Sequence, residues 1–86
     1  AVYPNPFNGK VKFDFSVDAP ELVTFNVYDI TGRMIVDELI MSSSKGYHQV
    51  SWDGRNKYGD LVSSGIYYYT FTLPEKVVRG KLTYLK

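Results

Sequence analysis

Residues Val11-Lys12-Phe13-Asp14-Phe15-Ser16-Val17 alternate strictly between apolar and polar. That is the period of a half-buried strand with Val11, Phe13, Phe15 and Val17 turned to a core. Asp18-Ala19-Pro20-Glu21 interrupts the pattern, and Val23-Thr24-Phe25-Asn26-Val27-Tyr28 resumes it with Val23, Phe25 and Val27 inward. Two alternating runs joined by a short loop predict an antiparallel pair. Asp29-Ile30-Thr31-Gly32-Arg33 puts a glycine where a turn needs positive φ. A third β-rich stretch from Met34 to Ile40 follows, and Ile35 and Leu39 are its expected buried positions.

The serine-rich connection Met41-Ser42-Ser43-Ser44-Lys45-Gly46 leads into Tyr47-His48-Gln49-Val50-Ser51-Trp52, where His48, Val50 and Trp52 share the core side. Two glycines among polar residues make 53–60 a turn or bulged loop. Ile66 to Leu73 is nearly all aromatic or β-branched, with Tyr67, Tyr69 and Phe71 expected inward. Pro74-Glu75 turns the chain, and Val77 to Leu85 closes it as a terminal strand. Six or seven short strands with one buried Trp predict an all-β fold: a single antiparallel sandwich of the immunoglobulin or fibronectin kind, over residues 1–86.

Composition narrows the function. Aromatic residues make up 16% of the chain, mostly tyrosine, which supports strands over helices. A chain of 86 residues buries only ~60–65% of its unfolded surface, leaving little room for a core and a deep catalytic cleft together. An enzyme is therefore not expected. Ten Lys and Arg against nine Asp and Glu give a net charge of +1, which removes the usual reason to expect nucleic acid. With no cysteine there is neither a disulfide nor a thiolate metal site. No apolar run approaches a membrane-spanning length, so no membrane insertion is expected. Ala1 in place of an initiator Met reads as a piece of something longer.

Candidate chemistry is thin. His48 is the only histidine, so a hydrolytic triad would need it beside Asp53 or Asp60 and a Ser42, Ser43 or Ser44 hydroxyl. Its place on the Trp52 side of a strand favours a packed, hydrogen-bonded imidazole instead. Asp53, Asn56 and Asp60 could offer oxygen ligands, yet Arg55 and Lys57 stand where a calcium loop puts acidic or amide side chains. No catalytic, metal or cofactor site is assigned. Tyr47, Tyr58 and Tyr68 are the tyrosines expected at the surface, where they could stack on a sugar or a partner.

Several segments are more specific. Tyr3-Pro4-Asn5-Pro6-Phe7-Asn8 resembles the opening of the C-terminal sorting domains of type IX secretion substrates, the Por secretion tails. Val27-Tyr28-Asp29-Ile30-Thr31-Gly32-Arg33, Gly46-Tyr47-His48-Gln49-Val50-Ser51-Trp52-Asp53-Gly54 and Ser64-Gly65-Ile66-Tyr67-Tyr68-Tyr69 resemble later stretches of that family, in its order. The lysine-bounded ending Lys81-Leu82-Thr83-Tyr84-Leu85-Lys86 is similar to its tail. Gly9-Lys10 departs from the family's frequent Pro-x-Thr after the opening. The same core pattern occurs in the immunoglobulin-like domain of flagellar hook-capping proteins.

The resemblance implies a non-catalytic module at the C-terminus of a larger protein, recognised by the type IX translocon and a sorting peptidase after transit through the periplasm. The parent would be secreted or displayed at the cell surface. Lys81, Leu82, Tyr84, Leu85 and Lys86 are the expected recognition residues, on the reasoning that an edge strand offers unpaired backbone groups. The alternatives are an accessory immunoglobulin-like module serving an upstream domain and, third, a carbohydrate-binding module.

Overall fold

A computed structural model describes residues 2–42 and 44–86, with the side chains of residues 41 and 42 left out of the description. Seven strands form: β1 (Val2–Tyr3), β2 (Val11–Val17), β3 (Glu21–Tyr28), β4 (Met34–Ser42), β5 (Gly46–Trp52), β6 (Gly65–Thr72) and β7 (Val77–Tyr84). They make two antiparallel sheets, β1-β2-β5 and β4-β3-β6-β7, facing each other as an immunoglobulin-like sandwich.

The alternating runs put their apolar sides where the pattern requires. Val11, Phe13 and Val17 of β2 and Val23, Phe25 and Val27 of β3 are buried, as are Trp52 and the inward Tyr67, Tyr69 and Phe71 of β6. Phe13 joins the two sheets. From the smaller sheet it meets Phe25 at 5.0 Å, Tyr69 at 4.8 Å and Phe71 at 5.7 Å between ring centroids. Such tilted and edge-on pairs add roughly 0.5–1.5 kcal/mol each beyond the area they bury. Phe15 points the same way but lies at the margin, half-buried between His48 and Phe71.

Two expectations are corrected. The runs 11–17 and 23–28 are not a hairpin: β2 pairs with β1 and β5, whereas β3 pairs with β4 and β6. Residues 18–20 carry the chain from one sheet to the other, and three residues reach about 10 Å, the spacing of stacked sheets. Alternation identifies the core face of a strand but not the sheet it joins.

Leu39 is the second correction, 65% exposed where burial is expected. Val27 pairs with Val36 while the next residue, Tyr28, pairs with Met34, so Ile35 is an extra residue bulged into β4. A bulge changes the parity of everything beyond it. Ile35 is buried, Val36 and Ile40 then pack against the core, and Leu39 turns outward.

Candidate functional site

The tail expected to carry recognition forms β7, at one edge of the four-stranded sheet, and its outer margin is not open. The N-terminal segment lies along it. Asn5 donates from Nδ2 to the Lys81 carbonyl at 3.2 Å and accepts the Thr83 amide at its Oδ1 at 3.0 Å. Phe7 continues the contact in parallel: its amide donates to the Thr83 carbonyl at 3.0 Å and its carbonyl accepts the Leu85 amide at 2.8 Å. Pro4 and Pro6 have no amide to offer, so Asn5 and Phe7 make these contacts. The reasoning that Lys81 to Lys86 present unpaired backbone groups is thereby overturned. Between Lys81 and Leu85 those groups are already engaged.

Side chains of the tail divide by face. Leu82 and Tyr84 are in the core at 0% and 3% exposure, while Lys81, Leu85 and Lys86 are exposed. Tyr84 is held by Phe7 at 5.0 Å and Trp52 at 6.2 Å, and Phe7 also meets Trp52 at 5.6 Å. Gly54 makes room for this cluster. It has φ +77°, and a Cβ there would lie 2.7 Å from Cζ of Tyr84. Gly80 does the same for Tyr69, whose hydroxyl would be 2.5 Å from an added Cβ. The Lys86 amide donates to Oγ of Ser64 at 2.8 Å, tying the tail to the start of β6.

The remaining motif residues build turns. Oδ1 of Asp29 accepts the Thr31 hydroxyl at 2.5 Å and the amides of Thr31 and Arg33 at 2.9 and 3.1 Å. The Thr31 hydroxyl is the chief reason its carboxyl is held below the usual carboxylate range. Partial burial opposes this, while the two amides and the Arg33 charge reinforce it. Asn56 spends its Oδ1 on the amides of Tyr58 and Asp60 at 2.9 and 3.1 Å, and Trp52 donates from Nε1 to the Arg55 carbonyl at 2.8 Å. Asp53 accepts the Arg55 amide at 3.3 Å and lies 3.7 Å from its guanidinium.

His48 contacts the Ser44 carbonyl through Nε2 at 2.9 Å and stacks on Phe15 at 5.6 Å. Of the serines considered with it, Ser43 and the side chain of Ser42 lie outside the described residues. Tyr47 and Tyr58 are exposed on separate elements, the outer side of β5 and the loop after it, and do not meet as a pair.

The part played by Asn5 was not anticipated from the sequence, nor was that of Gly80. A glycine inside a strand is the available signal for a close approach, and the two prolines around Asn5 are the signal that its neighbours leave it to pair.

Fold and edge closure together define an immunoglobulin-like sandwich whose first residues seal its last strand. The chain belongs to the FlgD Ig-like domain family, whose model matches residues 5–76 and so ends just before β7. Among solved structures it is similar to dimeric latent PorU from Porphyromonas gingivalis, with a TM-score of 0.78, 21% identity and 99% of this chain covered. It is also similar to FlgD from Xanthomonas campestris, described for hook capping in flagellar assembly, with a TM-score of 0.65, 22% identity and 92% covered. Truncated FlgD from Helicobacter pylori gives 0.60, 18% and 96%. At these identities the likeness is one of fold. The chain spans 9% of the PorU chain and 58% and 64% of the two FlgD chains, less than two thirds of each. No curated protein matches.

Proposed function

We propose that this domain is a non-catalytic sorting and attachment module that directs a larger protein through the type IX secretion system to the cell surface or medium. The observation that carries the reading is the ordered run of sorting-domain motifs, from Tyr3-Pro4-Asn5-Pro6-Phe7-Asn8 to the lysine-bounded tail. Its partners are the translocon, a sorting peptidase and the upstream domain of the parent. With β7 sealed by Asn5 and Phe7, recognition acts on the folded unit through the exposed Lys81, Leu85 and Lys86, while Leu82 and Tyr84 anchor the strand that presents them.

The sealed edge also favours a second reading, an accessory immunoglobulin-like module that braces its neighbour. Deleting residues 1–86 from the parent separates the two. A sorting module predicts a parent retained in the cell with its own activity intact. An accessory module predicts a parent still exported but less stable or less active.

A further inference from the structure

The outer face of the four-stranded sheet carries a patch that the core does not require, built from the motif residues Tyr28, Tyr68 and Lys81 with Arg79 beside them. Tyr28 of β3 lies directly opposite Tyr68 of β6, and Tyr68 directly opposite Lys81 of β7, so three side chains cross the sheet on one rung. Arg79 follows two residues from Lys81 on the same face, opposite Thr70. These residues line a shallow concavity of about 500 Å³ floored by Gly80 and the backbone of β6. Tyr68 is 45% exposed and Tyr28 half-buried. The ion pairs among the described residues are Arg33 with Asp29 and Arg55 with Asp53, so Arg79 and Lys81 meet no carboxylate there.

We propose that this patch binds an acidic polysaccharide, with the rings of Tyr28 and Tyr68 stacking against sugar rings and Arg79 and Lys81 pairing uronate carboxylates. Cross-strand neighbours stand about 5 Å apart, which brings the Tyr28 and Tyr68 side chains together along the shallow concavity. A shallow, open depression with phenol rings on its lining suits the apolar face of a pyranose better than the deep seat an anchoring peptide side chain needs. Two cations without acidic partners select an anion. The phenol hydroxyls and Thr70 supply donors and acceptors for a hydroxyl-rich chain. Lys81 is shared with the sorting reading, but the proposal does not rest on that reading, since it concerns binding by the isolated chain in solution.

The test is electrophoresis of the 86-residue chain through native gels containing polygalacturonate, neutral dextran or polyglutamate. Polygalacturonate should retard it and dextran should not. Tyr68→Ala, and separately the pair Arg79→Ala with Lys81→Ala, should each weaken retardation roughly tenfold. Tyr68→Leu, which keeps apolar area without a stacking ring, should behave like Tyr68→Ala, and unchanged Trp52 fluorescence certifies the fold of each variant. No retardation by polygalacturonate would overturn the proposal. So would equal retardation by polyglutamate that Tyr68→Ala leaves unmoved, because the patch would then read charge alone.

Discussion

Replacing Asn5 by Ala removes two hydrogen bonds at once, the acceptor of the Thr83 amide and the donor to the Lys81 carbonyl, and leaves the Phe7 backbone pair in place. Each such bond contributes about 0.5–1.5 kcal/mol net. Asn5 is exposed, so water can re-solvate both groups and the total falls near the lower end, about 1–2 kcal/mol. With a urea m-value near ~1 kcal/mol per molar for a domain of this size, the unfolding midpoint should drop by roughly 1 M or more. Amide exchange resolves the effect locally. Thr83 should lose most of its protection, its acceptor being gone, while the inner amides of β2 and β3 fall only by the factor of roughly 5–30 that the global change gives. Asn5→Asp keeps an oxygen for the Thr83 amide but loses the donor to Lys81, so it should retain Thr83 protection and show about half the midpoint shift. Equal Thr83 exchange in the Ala and Asp variants, or an unmoved midpoint in the Ala variant, would refute the clamp.

Other substitutions probe the packing. Gly80→Ala should destabilise by about 1–3 kcal/mol in chemical denaturation, because its methyl meets the Tyr69 ring, and Tyr69→Leu in the same background should recover part of the loss. Ile35→Ala should cost about 2–4 kcal/mol and Leu39→Ala under ~0.5 kcal/mol; the reverse ranking in the same melts would contradict the bulge. Asp29 binds its proton less readily folded than unfolded, so the stability it contributes is fully present above pH ~4 and is lost as pH falls through its lowered folded value. Acid titration of stability should therefore be shallower in Asp29→Asn, and still shallower than wild type, though less so, in Thr31→Val.

Alternation made the buried faces of β2, β3 and β5 legible, since a period of two admits one inward set, and in the nearly all-apolar β6 Thr70 and Thr72 marked the outer face. Sheet membership was not legible, because residues 18–20 are equally able to close a hairpin or to cross between layers. In β4 the apolar pairs Ile35-Val36 and Leu39-Ile40 admit either parity, and the inserted residue decides between them. Adjacent apolar residues within an otherwise alternating strand are the visible trace of such a switch. The terminal strand was recognisable as an edge, but its partner was not: Asn5 and Thr83 are 78 residues apart, and their pairing depends on closure of the whole sandwich. The patch at Tyr28 and Tyr68 needed the register of β3 against β6, which Tyr67-Tyr68-Tyr69 alone does not reveal.

The sorting role is tested most directly by fusing residues 1–86 behind a periplasm-directed fluorescent reporter, in a host with a working type IX system and in its translocon-deficient mutant. A sorting module predicts reporter at the surface or in the medium of the competent host alone, with export lowered by Lys81→Ala together with Lys86→Ala. Reporter folded but held in the periplasm of both strains would contradict it.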